Sequence, residues 1–188
     1  GGCGFLRAAV FGINDGLVSN ASLIFGVAGA NSDPAVVVLT GVAGLTAGAF
    51  AMAAGEFVSV RSQRELFEYQ IGLEREELAE YPEAEAQELA LIYEAKGLAP
   101  GEARRLAQRL VSDPEHALDT LAREELGLNP DELGSPWQAA VSSFLSFAVG
   151  AGIPLLPFVL AARDHALTIT GVLTGLSLFA VGATLSLF

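Results

Sequence analysis

The side chains best equipped for chemistry in this sequence are carboxylates at helical spacing. Glu74 and Glu77 are three residues apart, as are Glu85 and Glu88, while Glu124 and Glu125 are adjacent, so only one of that last pair can point in a given direction. Residues three apart share a helix face, and two like charges there repel unless a cation bridges them. Such pairs read in two ways: as a solvated acidic surface, or as oxygen ligands for a divalent ion. Carboxylates without nitrogen or sulfur partners suit hard or borderline ions, Mg²⁺, Ca²⁺, Mn²⁺ and Fe²⁺.

A second set lies inside apolar sequence: Asp15, Met52 and Glu56. Met52 and Glu56 are four apart and share a helix face. Asp15 follows Asn14 and precedes Gly16, with Ser19 and Asn20 one turn on, which gives a polar face to an otherwise apolar helix. A carboxylate and a thioether at one level make a site for a borderline metal such as Fe²⁺. A carboxylate there has a pKa sensitive to burial and to a bound cation, so it can exchange metal for protons. Taken singly, Met52 also reads as a gap filler and Glu56 as a side chain that reaches back to the interface.

Other chemistries lack their residues. No cysteine pair or histidine cluster makes a zinc site, and the lone Cys3 has no internal partner. No Glu-x-x-His pair of the di-iron kind is present, so ferroxidase or other enzyme activity has no support. No Walker loop provides for ATP. Asp113 and His116 read as a helix cap across Pro114, and His165 as a solvated loop residue. Net charge is −12, which excludes nucleic acid as a partner because a phosphate backbone needs a basic stripe.

The elements that must position these groups follow from the charge distribution. Residues 61–135 hold 18 of the 22 acidic and 8 of the 10 basic residues. Elsewhere the chain is apolar, with a mean hydropathy of +0.47 overall. Four apolar stretches, residues 8–30, 35–60, 137–162 and 166–188, each exceed the ~20 residues a helix needs to cross hydrocarbon. The expected fold is an all-α transmembrane helix bundle with four spans and a helical insert between spans two and three. Its divisions are 1–60, 61–135 and 136–188. Asp15 falls about 12 Å along its helix from Arg7, Glu56 about 7.5 Å and Met52 about 13.5 Å from Arg61. Spans one and two run antiparallel, so Asp15 and Met52 lie at similar depth. Intramembrane ionisable groups are costly and mark function by default. Pro154 and Pro157 bend or end the third span. Gly12/Gly16, Gly44/Gly48 and Gly171/Gly175 have the four-residue spacing that lets helices approach closely in lipid. Arg7, Arg61 and Arg64 flank the ends adjoining the insert, the loop near 31–34 has no basic residue, and the loop at 163–165 has one. The positive-inside rule therefore puts the N-terminus and residues 61–135 in the cytoplasm.

The insert reads as helices over 61–79 (continuing the second span), 83–96, 101–111 and 115–126. Pro82, Pro100 and Pro114 mark their boundaries, Gly97 and Gly127 stop two of them, and 129–136 is a linker.

The segments at 6–17 (LRAAVFGINDGL), 51–62 (AMAAGEFVSVRS) and 121–128 (LAREELGL), with the glutamate-rich insert between them, resemble the vacuolar iron transporter family in its bacterial form. The resemblance covers nearly the whole chain in the right order. It implies a homodimer of five-span subunits that moves Fe²⁺, and often Mn²⁺, out of the cytosol in exchange for protons, with the insert as a metal-binding domain. It implies ligand roles for Glu74, Glu77, Glu85, Glu88 and Glu125, and pathway roles for Asp15 and Met52. Plant-type members have a glutamate where this chain has Gly44, and Glu56 is the nearest substitute. A methionine pair expected before the last glutamate is Leu121 and Ala122 here, which leaves an all-oxygen site. The family's fifth span has no counterpart in these 188 residues, and some bacterial relatives carry a ferritin-like domain before the first span.

Two functions are weighed. One is a proton-coupled divalent metal transporter in the lipid bilayer of a bacterial plasma membrane. The other is a membrane-anchored metal buffer or sensor without transport.

Overall fold

The computed structural model describes residues 2–30, 33–127, 129, 134–160 and 165–186, with side chains from residue 9 onward apart from 114, 115 and 185. It is helical, with no strand among the described residues. In order the helices are α1 (Gly2–Ala30), α2 (Pro34–Glu80), α3 (Pro82–Ala95), α4 (Pro100–Val111), α5 (Pro114–Glu124), α6 (Pro136–Gly152), α7 (Leu156–Val159) and α8 (Ala166–Ser186); a 3-10 turn, Ile153–Leu155, joins α6 to α7. Arg7 and Cys3 lie on α1, but their side chains are outside the described set. So are Arg163, Leu128 and residues 130–133 of the 129–136 linker.

Proline starts five of these helices, where its missing N–H belongs to a group unpaired in any helix. Ahead of Pro34, the Asp33 carboxylate accepts from the Ala35 amide at 2.9 Å, a side-chain cap on the helix start. α3 ends at Ala95, and Gly97 just beyond it has a φ of +102°, which suits glycine. The Gly97 amide donates to Glu94 O at 2.9 Å and the Leu98 amide to Tyr93 O at 3.1 Å, which closes the last carbonyls of the helix.

Two compact units result: residues 1–60 with 135–188, and residues 61–134. In the first, four helices are long and apolar enough to span a membrane: Ala9–Ala30, α2, Pro136–Val159 and Ala166–Thr184. Their contacts set the directions. Gly12 lies against Ser146 and Phe147, and Gly16 against Phe147 and Ala151, so α1 and α6 run parallel. Along α2 and α6 the order reverses: Phe57 meets the Trp137 ring edge-on at 4.9 Å, Phe50 meets Phe144 at 5.1 Å, and Gly48 lies on the Phe147 ring. These two helices are antiparallel. Leu45, Ala49, Met52, Phe144, Phe147, Ala148 and Ala151 make the cluster between them, and Ile24, Val37 and Leu155 make another at the far end of α1 and α2.

Gly12 and Gly16 of α1 and Gly41, Gly44 and Gly48 of α2 do their close packing within the chain. A Cβ at Gly16 would stand 2.4 Å from the Phe147 carbonyl oxygen, and one at Gly150 2.2 Å from the Ile13 carbonyl oxygen. Gly175 meets nothing within 4 Å and Gly171 only Phe25 at an ordinary 3.4 Å, so the pair makes no comparably close approach among the described residues. As expected from Pro154 and Pro157, the third span changes from α to 3-10 geometry at Ile153. The Thr170 hydroxyl on α8 donates to the Pro154 carbonyl at 3.0 Å and pairs a buried backbone group there.

The second unit packs one apolar stripe per helix: Leu78 of α2, Leu89 and Ala90 of α3, Ala103 and Ala107 of α4, and Ala117 and Leu121 of α5. Leu121, where a soft ligand was the alternative, is fully buried in this core. The Asp113 carboxylate and the His116 ring form a local side-chain pair at 2.9 Å at the start of α5.

Gly16→Ala and Gly150→Ala are therefore expected to destabilise the purified protein by about 1–3 kcal/mol through overpacking. Thermal unfolding in detergent should show lowered midpoints for both, with Gly175→Ala unchanged or slightly raised.

Candidate metal centre

Glu74, Glu85 and Glu125 converge: each offers a carboxylate oxygen, and these oxygens all lie within 4.8 Å of one another. The cause is local. Glu74 stands four residues before Leu78, Glu85 four before Leu89, and Glu125 four after Leu121. Positions four apart share a helix face, so each leucine that enters the core turns its glutamate toward the same interior. Glu74 and Glu85 are only 3% and 5% exposed, whereas Glu125 is exposed and keeps the group open to solvent. Glu77 and Glu88 directly precede the core leucines, about 100° round the helix. They are exposed and stand outside the trio. Their charges still act on it, each pushing the Glu85 and Glu125 carboxyls up.

Of the adjacent pair, Glu124 turns to Lys96 in an ion pair and Glu125 to the trio. Sequence spacing gave no sign of the Lys96 partnership, which joins residues 28 apart.

Three carboxylates this close cannot all be ionised cheaply. Burial is the main reason that Glu74 rises from the usual glutamate value of 4.5 to about 7, with the charges of Glu125 and Glu85 next. Glu85 is raised by burial and by Glu88, while its hydrogen bond with Glu74 acts the other way. Of the trio, Glu74 thus holds a proton up to about neutral pH, with Glu85 as its hydrogen-bond partner. Glu125 is raised first by desolvation of its carboxyl, then by Glu88 and Glu85. One oxygen on each of the two buried groups, Glu74 Oε1 and Glu85 Oε2, has no hydrogen-bond partner. A divalent cation would displace the proton, offset the repulsion and occupy these oxygens at once.

The other predicted residues gather elsewhere. Asp15 and Ser19 of α1, Met52 and Glu56 of α2, and Phe147 of α6 line a cavity of about 610 Å³ in the membrane unit. Asp15 is exposed, and Met52 and Glu56 are half-buried. Ser19 donates to the Asp15 backbone carbonyl one turn back, which leaves the carboxylate out of that bond. Gly44, Gly48 and Gly55 make up much of the remaining α2 wall.

Asn20 also lines this cavity and is 2% exposed. Its Nδ2 donates to the Ala151 carbonyl at 2.7 Å, near the end of α6. Its Oδ1 has no partner, a state that costs about 1–3 kcal/mol in a buried group. The sequence placed Asn20 on the polar face of α1 but gave no reason to separate its two amide atoms.

The sequence profile of the VIT family matches residues 6–188. Among curated proteins the chain is 39% identical over 178 residues to "Vacuolar iron transporter" of Acanthamoeba castellanii, covering 95% of this chain and 64% of that protein. It is 32% identical to "Vacuolar iron transporter 1" of Arabidopsis thaliana, covering 94% and 71%. The same identity holds for "Vacuolar iron transporter 1" of Oryza sativa subsp. japonica, covering 89% and 67%. The chain therefore spans about two thirds of the length of these relatives.

The raised Glu74 pKa has a sign that can be tested. Below about pH 4.5 the group is protonated folded or unfolded, and its burial carries no electrostatic penalty; as pH climbs to about 7 and beyond, the unfolded state ionises more readily and stability is lost. Glu74→Gln should melt at the same temperature as the native protein near the lower value and higher than it above the upper one. Mn²⁺ titrations should show affinity at the trio falling on acidification by up to about tenfold per pH unit through the lower part of this window, one proton being displaced.

Proposed function

The chain belongs to the VIT family, and from that premise we propose that it moves divalent metal, Fe²⁺ and also Mn²⁺, out of the cytosol through the membrane in exchange for protons. The observation that carries the reading is the buried carboxylate trio of Glu74, Glu85 and Glu125, with its raised proton affinity and two unpartnered oxygens. A group that must choose between a proton and a cation suits capture and release of a metal substrate. The relatives it matches are named as vacuolar iron transporters, which agrees with iron as the cargo.

The roles are these. Glu74, Glu85 and Glu125 bind the ion, and Glu77 and Glu88 concentrate cations around them through their charge. Asp15, Met52 and Glu56 line the pathway inside the membrane unit. Two carboxylates there neutralise a divalent ion, and the thioether favours a borderline metal such as Fe²⁺ over Mg²⁺. Protons returning along the same carboxylates complete the exchange. No covalent step is involved. Arg61 and Arg64 put residues 61–135 and the N-terminus on the cytoplasmic side by the positive-inside rule. The active form is a homodimer, and the membrane is a bacterial plasma membrane.

Reconstitution in liposomes with an internal pH dye tests this. Fe²⁺ flux should move opposite to protons and be abolished by Asp15→Ala. Glu74→Gln with Glu125→Gln should raise KM roughly tenfold or more while leaving kcat nearly intact, since the capture site and not the pathway is altered. Metal binding with no flux above that of empty liposomes would sink the transporter reading and leave a membrane-anchored metal buffer in its place.

A further inference from the structure

Asn20 carries an inference about the membrane cavity beyond the residues so far given roles there. Ala151 offers a carbonyl, which only accepts, so the amide nitrogen of Asn20 must face it. That contact fixes the side chain and turns Oδ1 the opposite way, with no donor to meet it. Gly44 lies on that side: a Cβ there would be 2.8 Å from Oδ1 and 2.6 Å from Leu23 Cδ2. Both Gly44 and Asn20 line the cavity shared by Asp15, Met52 and Glu56. Oδ1 is buried at the cavity wall, where Gly44 places no side chain against it.

We propose that Asn20 Oδ1 is a neutral oxygen ligand for a divalent cation in this cavity, held in place by the Asn20–Ala151 hydrogen bond. This rests on the transport reading for the cavity's purpose, though not for the binding itself. A neutral donor has a physical advantage here. Asp15 and Glu56 already balance a divalent charge, and a third carboxylate would leave a net negative charge among apolar helices. An amide oxygen adds a dipole and no charge.

The test reads binding apart from flux. In detergent-solubilised protein carrying Glu74→Gln, Glu85→Gln and Glu125→Gln, Mn²⁺ binding is followed by electron paramagnetic resonance, which leaves the cavity as the site measured. Binding that disappears with Asp15→Ala and weakens about tenfold or more with Asn20→Leu is the expected result. Asn20→Ala, which adds no bulk, is read in its place if the leucine variant fails to fold. A purely structural Asn20 would lower the melting temperature and leave Mn²⁺ affinity within about twofold of the parent, and that outcome overturns the proposal. So does a parent that binds no Mn²⁺ in the cavity. Intact Mn²⁺ binding with no Fe²⁺ flux would instead sink transport and leave the Asn20 assignment standing.

Discussion

The membrane unit depends on one steric constraint, the backbone-to-backbone approach of α1 and α6. With Gly12 and Gly16 on one helix and Gly150 on the other, main-chain atoms meet where side chains would ordinarily hold helices apart. In lipid, association draws little from the hydrophobic effect, so close van der Waals contact of this kind does much of the work. Its consequences are local and specific. It brings Asn20 within 2.7 Å of the Ala151 carbonyl, at the end of α6 before the 3-10 turn. It also sets α1 beside α6 so that α2, packed on α6 through Phe147, Ala49 and Leu45 and on α1 through Gly41 and Gly44, lines a cavity together with Asp15 without filling it.

The insert obeys a different constraint. Its core is small and made largely of alanine and leucine, and the helices that supply it also carry a heavy load of glutamate. Most of that charge stays in water. Glu74 and Glu85 do not, and Glu125 reaches in from the solvent side to meet them, because each sits one turn from a leucine the core requires. Burial and the repulsion that follows raise the proton affinity of all three carboxyls, and a bound cation would relieve that repulsion. At this site the burial that raises proton affinity also costs stability as pH rises to neutrality and beyond. Such local tension is expected of functional sites, where a sequence departs from what folding alone would select.

The two candidate sites differ as ligand environments. The trio is all oxygen, with Leu121 and Ala122 fully buried beside it rather than adding sulfur. The cavity combines carboxylates, a thioether and an amide oxygen. By ligand softness the first set suits hard as well as borderline ions, and the second set suits a borderline ion.

The sequence by itself determined the helical class, the four long apolar helices, the break at Pro154 and Pro157, and the helix limits in the insert, most within a residue or two. These are local properties: hydropathy over about 20 residues, proline's missing donor and glycine's access to positive φ act without reference to the rest of the chain. α5 shows the margin, since it ends at Glu124 and the apolar pattern alone carries it to Leu126. The tertiary structure alone decided which carboxylates meet. Glu74, Glu77, Glu85 and Glu88 are alike as sequence, paired three apart on their helices, and only the burial of Leu78 and Leu89 separates the first of each pair from the second. The same holds for Glu124 against Glu125, which part toward Lys96 and the trio, and for Asn20, whose orientation is set by a carbonyl 131 residues away. Such contacts depend on how helices pack, and no spacing along one helix encodes the position of another.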